Sequence, residues 1–175
     1  MSRLAATFAG LRQAHKPGLV TYVTAGDPTL PRTRGVLCAL DRAGADVLEV
    51  GVPFSDPLAD GPVIQRATER ALASRTTLSG VLDLIADTRP DLRAPVVVFS
   101  YANPILRLGA ERFADRAREA GVDGVLVLDL PIEEAAPLGG NALGGRYGFL
   151  ACRLRFNLWR WIMAHEPLNR CRLLE

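Results

Sequence analysis

Cysteine and histidine are both scarce in this sequence, which has three cysteines and two histidines among its 175 residues. The cysteines, Cys38, Cys152 and Cys171, are odd in number and do not have the spacing of metal ligands. A disulfide framework and a structural zinc site are therefore excluded, and we interpret the three residues as plain thiols.

Long apolar runs are also missing, because no segment is long enough to cross a bilayer. Residues 1–10 have neither a basic start before a long apolar block nor a cleavage site, so no signal peptide is predicted. The hydrophobic fraction of 49% and the mean hydropathy of +0.13 are typical of a soluble globular protein with a real core. We therefore expect a cytoplasmic protein.

The net charge of +2 is small but unevenly distributed. Residues 1–137 contain 15 Lys and Arg against 17 Asp and Glu, whereas residues 138–175 contain six Arg against two Glu. The second segment opens with a glycine-rich link and has aromatic residues without a periodic apolar stripe. We interpret residues 138–175 as an atypical basic, aromatic tail and predict that it binds neither nucleic acid nor a membrane.

Four apolar, strand-like segments begin near residues 19, 47, 95 and 125 and alternate with helical patterns. The sequences AGAD at residues 43–46 and AGVD at residues 120–123 each join a helix end to a strand, as expected of a repeated strand–helix unit. This alternation predicts an α/β fold with right-handed crossovers and a parallel sheet.

A candidate catalytic segment follows, in which the sequence LEVGVPFSDPLADG at residues 48–61 runs from an apolar strand into an acidic loop. Glu49 interrupts a strand that we expect to be covered on both faces, where an ionised carboxylate is costly to bury. It therefore needs either an ionic partner at the strand end or a chemical role.

The two aspartates of this loop have different interpretations. Asp60 lies just outside the next helix, because Pro62 suits the first helical position and makes Gly61 the cap. Asp56 comes directly before Pro57 and is typical of a turn residue. Glu49 and Asp60 are thus brought to one end of the predicted sheet.

Four sequence motifs together resemble the tryptophan synthase alpha chain family. They are residues 48–61, the sequence TAGDP at residues 24–28, YANP at residues 101–104 and DLP at residues 129–131. The resemblance extends over about residues 3–137 and implies a TIM (β/α)8 barrel. About the first four strand–helix units would be present, as a partial barrel domain of residues 1–137.

The resemblance also implies a reaction, the retro-aldol cleavage of indole-3-glycerol phosphate to indole and glyceraldehyde 3-phosphate in tryptophan biosynthesis. In such a lyase Glu49 would carry the proton and Asp60 would stay ionised and hold the indole N–H. Tyr22 and Tyr101 would line the substrate pocket, although each taken alone is more typical of a packed aromatic.

A partner is implied in the same way, the beta chain of an alpha2-beta2 complex. The residues expected to face it are Pro53, Phe54 and Asp56. No cofactor is predicted for this chain, because it has no metal-ligand cluster and no dinucleotide fingerprint. The pyridoxal phosphate of the family belongs to the beta chain.

Two other functions stay open at this point: another phosphosugar barrel isomerase or epimerase, and a non-catalytic fragment that binds the beta chain. A complete barrel has eight units, and four are recognisable here. We therefore expect a truncation with an altered reading frame after about residue 137, and a chain that is inactive alone.

Overall fold

The structure, a computed structural model, describes residues 2–130 and 148–151 of the chain. The strands are β1 (Val20–Thr24), β2 (Val47–Gly51), β3 (Val96–Ser100), β4 (Gly124–Val127) and β5 (Gly148–Ala151). The helices are α1 (Arg3–Gln13), α2 (Leu30–Arg42), α3 (Pro62–Ala73), α4 (Leu78–Thr88), α5 (Ala102–Leu108) and α6 (Ala110–Glu119), and a 3-10 turn (Arg89–Asp91) follows α4.

The strands form one parallel sheet in the order β1-β2-β3-β4-β5. Strands β1 to β4 confirm the predicted parallel α/β arrangement. Strand β5 was missed, because four residues inside a segment rich in Arg and Trp are too few to show alternation. The predicted boundary between residues 137 and 138 lies outside the described residues.

One face of the sheet carries the main apolar core, because alternate residues of strands β1 to β4 point towards the covering helices. Leu48 and Val50 of β2 are fully buried on this face. The residues packed in the same core include Val96, Val98, Val125 and Val127 from the sheet and Leu37, Val81, Leu82, Ile85 and Phe113 from the helices.

Capping residues mark the starts of two helices. Ser2 caps α1, since its Oγ accepts a hydrogen bond from Ala5 N at 3.2 Å. Gly61 is the N-cap of α3 with Pro62 at the first helical position, as predicted. No helix in the part of the chain that the structure describes is long and apolar enough to span a membrane.

A helix begins directly at the exit from β3, in the YANP motif at residues 101–104. Tyr101 is the N-cap of α5, and Ala102 N donates a hydrogen bond to Asp129 Oδ1 at 2.6 Å. The capping carboxylate belongs to Asp129, which follows β4. The sequence around residue 102 therefore contains no capping signal for the start of α5.

Helices α2 and α6 end at glycines in the left-handed region, Gly44 with φ of 97° and Gly121 with φ of 73°. After α2, Gly44 N donates to Asp41 O at 3.1 Å and Ala45 N donates to Leu40 O at 3.0 Å. These paired bonds satisfy carbonyls that the end of the helix would otherwise leave without partners.

The AGAD and AGVD repeats form the same contact at two places. Asp46 Oδ2 accepts a hydrogen bond from Leu19 N at 2.8 Å, and Asp46 N donates to Leu19 O at 2.8 Å. Asp123 binds Val96 in the same way, at 3.0 and 2.8 Å. We call each pair an aspartate clasp. It fixes the start of one strand against its neighbour, which explains why the sequence repeats.

We expect Arg75→Gly to be more stable than Arg75→Ala by about 1 kcal/mol. Arg75 follows α3 with a φ of 59°, and its N–H donates to Leu72 O at 2.8 Å. A glycine adopts this backbone without strain, whereas alanine retains the Cβ that causes it. Urea unfolding measures the difference, and Gly44→Ala should lose stability as the converse control. Equal stability of the two Arg75 variants would contradict the strain argument.

Candidate active site

Glu49 lies on the sheet face opposite the main core. In the parallel register it stands beside Tyr22 of β1 and Val97 of β3. Leu48 and Val50 point the other way, under the helices. Both faces of β2 were expected to be covered, but the structure leaves Glu49 half-buried while its neighbours in the strand are buried. The Glu49 face is thus the one on which a ligand can be accommodated.

The burial of Glu49 is not offset by a hydrogen bond or an ion pair within residues 2–130, and this affects the pKa of its carboxyl group. Within residues 2–130 its carboxyl has neither a hydrogen-bond partner nor an ion pair, so the ionic-partner interpretation is not supported there. Desolvation raises the pKa of Glu49 above its ordinary value of 4.5. A carboxyl with a raised pKa holds its proton to a higher pH than an exposed glutamate does, as a group that donates a proton requires.

Tyr22 stands directly beside Glu49 and is held from several sides. Its ring makes an edge contact with Phe99 at a centroid distance of 5.3 Å, and Thr24 Oγ1 donates to its hydroxyl at 3.5 Å. Burial raises the pKa of Tyr22 to about 12 against the opposing effect of the Thr24 hydrogen bond, and the charges of Asp60 and Glu49 add to the rise. Both carboxylates therefore act on one tyrosine.

Gly51 makes room for this tyrosine. A Cβ added at Gly51 would lie 2.1 Å from the Tyr22 hydroxyl oxygen and 2.5 Å from its Cζ. The glycine in LEVG is therefore a requirement of the site, since any side chain would displace the ring next to Glu49.

Asp60 meets Tyr101 at the end of the loop between β2 and α3. The Tyr101 hydroxyl donates to Asp60 Oδ2 at 3.2 Å and accepts a hydrogen bond from Ala59 N at 3.0 Å. Tyr101 is only 4% exposed. Its hydroxyl is bonded to the predicted catalytic aspartate and does not face an open pocket. Substrate contact by Tyr22 and Tyr101 stays a prediction.

The loop expected to face a partner has a mixed exposure. Pro53 is buried, and Phe54 lies against Tyr101 with ring centroids 5.2 Å apart. Asp56 is exposed, and Leu58 is 86% exposed. A cavity of about 300 Å³ lies between this loop and α3, lined by Phe54, Ser55, Asp56, Pro57, Leu58, Gln65, Thr68, Glu69 and Leu72. The partner role of Pro53, Phe54 and Asp56 stays a prediction.

The loop after β1 is fixed to α3 by an ion pair. Arg70 donates from Nε and Nη2 to the two carboxylate oxygens of Asp27, at 2.7 and 2.8 Å. The Arg70 hydrogen bonds hold the pKa of Asp27 below its usual value of 3.8. Asp27 of the TAGDP motif is thus a structural anchor for the loop beside Tyr22.

Phe99 is a site residue that the sequence interpretation missed. It pairs with Gly51 across β2 and β3, on the same face as Glu49, and its ring supports Tyr22. The signal was the alternation of β3, since Val97 and Phe99 are half-buried between buried neighbours. Within the described residues there is no group of three or more His, Cys, Asp or Glu side chains that could hold a metal ion.

A parallel sheet with its strands in sequential order, helices over one face and acidic loops after its strands is the arrangement of the (β/α)-barrel class, of which the described residues form a part. A family model described as tryptophan synthase alpha chain matches residues 8–144. The chain therefore belongs to the tryptophan synthase alpha chain family.

Individual relatives agree with this assignment. The tryptophan synthase alpha chain of Citrifermentans bemidjiense is 54% identical over 140 residues, which are 80% of this chain and 52% of that protein. Tryptophan synthase subunit alpha from Legionella pneumophila has a TM-score of 0.76 at 46% identity, covering 79% of this chain and 53% of that one. Ligand-free tryptophan synthase from M. tuberculosis has a TM-score of 0.80 at 34% identity, covering 85% and 60%. The chain spans about half the length of the curated relatives it matches.

We expect Gly51→Ala to lower the free energy of unfolding by about 1–3 kcal/mol, because the added methyl group overpacks against Tyr22. Gly35→Ala is the control, since a Cβ at Gly35 would meet nothing within 4 Å. Urea unfolding with far-UV circular dichroism compares the two. A Gly51 variant as stable as the Gly35 variant would show that Tyr22 relocates without cost.

We expect Glu49→Gln to gain stability over the parent as the pH rises from about 4 to about 7. The raised pKa of Glu49 means that the native state holds its proton more tightly than the unfolded chain. Ionisation above the ordinary pKa of 4.5 therefore costs stability in the parent and nothing in the amide. Urea unfolding at several pH values tests this, with exposed Glu119→Gln as control. A difference that does not change with pH would contradict the burial argument.

Proposed function

We propose that the protein cleaves indole-3-glycerol phosphate to indole and glyceraldehyde 3-phosphate, with Glu49 as its acid–base group and Asp60 as the carboxylate that binds the indole N–H. The observation that carries this proposal is Glu49 itself, a half-buried carboxyl with a raised pKa and without a partner inside residues 2–130. Family membership supports the choice of reaction over a phosphosugar isomerase or epimerase.

The cleavage needs a proton to move between two atoms of the substrate. The indole ring carbon that carries the side chain must gain a proton, and the neighbouring side-chain hydroxyl must lose one as its oxygen becomes an aldehyde. The electron pair of the broken carbon–carbon bond stays with the ring. Glu49 can do both steps if it starts protonated, by giving its proton to the carbon and taking one from the hydroxyl. Its raised pKa favours that starting state.

Asp60 serves the same reaction by charge. Positive character develops on the indole nitrogen when the ring carbon is protonated, and an ionised carboxylate on the N–H stabilises it. The Tyr101 hydroxyl donates a hydrogen bond to Asp60 Oδ2, which holds this carboxyl group at the end of the loop. Glu49 and Asp60 thus have distinct surroundings, one on a strand without a partner and one on a loop with a donor.

The partner in this proposal is the tryptophan synthase beta chain, bound through the exposed part of the loop at Asp56 and Leu58. Leu58 presents an apolar side chain to solvent at the carboxyl end of the sheet. No cofactor is proposed for this chain, and pyridoxal phosphate is assigned to the beta chain. Indole would pass from this site to the partner.

We expect Glu49→Gln to reduce indole release by about a hundredfold or more, because the amide keeps the shape but cannot exchange a proton. Asp60→Asn should also lose activity, and Asp56→Asn should lose less. Indole release is measured with and without beta chain, on this chain and on a chimera in which residues 8–144 replace the matching segment of the Citrifermentans bemidjiense relative. The chimera supplies the rest of a barrel.

Release within tenfold of the parent chimera by Glu49→Gln would refute the role of Glu49. An Asp56→Asn variant weaker than Asp60→Asn in the absence of beta chain would show that the two aspartate roles are exchanged. Stimulation of the beta chain without any cleavage by the chimera would favour the non-catalytic fragment.

A further inference from the structure

The side chain of Tyr101 contacts the loop between β2 and α3 at both of its ends. Its ring lies against Phe54 near the beginning of the loop, at a centroid distance of 5.2 Å. Its hydroxyl contacts Ala59 and Asp60 at the end of the loop. Between these contacts Leu58 is 86% exposed, so the middle of the loop is not packed against the sheet.

The backbone that carries Tyr101 is itself firmly held. Ser100 Oγ donates to Tyr101 O at 2.9 Å, and the next residue, Ala102, is bound to Asp129 at 2.6 Å. Tyr101 is 4% exposed. The loop is therefore attached to a fixed point of the sheet.

The hydrogen bonds of the Tyr101 hydroxyl have a defined direction. Ala59 N–H can only donate, so the hydroxyl accepts that bond and its single proton goes to Asp60 Oδ2. Burial raises the pKa of Tyr101 to about 12, and the charge of Asp60 contributes, while the Ala59 bond opposes the rise. The hydroxyl thus keeps its proton throughout the neutral range.

We propose that Tyr101 is a positioning residue, whose hydroxyl fixes the Ala59–Asp60 end of the loop and orients the Asp60 carboxylate towards a bound indole N–H. The catalytic consequence rests on the proposed function, whereas the positioning of the loop does not. Tyr101 would act through Asp60, without contacting the reacting atoms.

The test of positioning compares Tyr101→Phe with Thr88→Val in the full 175-residue chain. Phenylalanine keeps the ring against Phe54 and removes only the hydroxyl. Thr88 is the matched control, because its buried hydroxyl donates to Leu84 O at 2.6 Å in α4, away from the loop. Residue-resolved amide exchange by NMR should show the Ala59 amide exchanging about tenfold faster in Tyr101→Phe and unchanged in Thr88→Val. Unchanged exchange at Ala59 in Tyr101→Phe would overturn the proposal.

A double-mutant cycle tests whether Tyr101 acts through Asp60. Indole binding, followed in the same NMR spectra, should weaken about tenfold in Tyr101→Phe. In an Asp60→Asn background the same substitution should cause no further loss, which a general loss of stability would not reproduce. Equal losses in both backgrounds would refute action through Asp60. If the parent chain does not bind indole, the proposed function loses its support, and exchange at Ala59 alone then decides the positioning role.

Discussion

Parallel pairing of β2 with β1 and β3 is the constraint on which the candidate site depends. The register that aligns Glu49 with Tyr22 and Val97 also turns Leu48 and Val50 into the core under the helices. Because side chains alternate strictly along a strand, a slip of one residue would carry Glu49 under the helices and expose two core residues. The free energy that the core gains by excluding water therefore also holds the carboxyl on the opposite face.

The two tyrosines support the two carboxyl groups in different ways. Tyr22 stands beside Glu49 without a hydrogen bond to it, and its place depends on the missing side chain of Gly51. Tyr101 is bonded to Asp60 directly. One carboxyl is thus left without a partner inside residues 2–130, where burial raises its pKa, while the other receives a hydrogen-bond donor. The two carboxyl groups therefore have different surroundings, one on strand β2 and one in the loop that follows it.

The sequence was sufficient for β1 to β4, for Gly61 as the cap of α3 and for Glu49 and Asp60 at one end of the sheet, because alternation, capping and turn residues are local signals. It was not sufficient for α5, whose cap comes from Asp129, or for the bond between Tyr101 and Asp60, which joins residues 41 apart. Phe99 was missed although the alternation of β3 marks its face, because the contact that matters joins it to Tyr22 on another strand, and β5 is too short to show alternation. The sequence therefore could not predict which residues of one strand–helix unit contact residues of another.

The two aspartate clasps have a consequence for how the chain can fold. Each joins residues 27 apart, Leu19 with Asp46 and Val96 with Asp123. The entropy lost in closing a chain segment rises only slowly with its length, and short separations between contacting residues speed folding. Strand β1 can therefore find its register against β2, and β3 against β4, before the remainder of the sheet has assembled. Neither strand pair needs the other in order to form, so folding can begin at either of the two aspartate clasps.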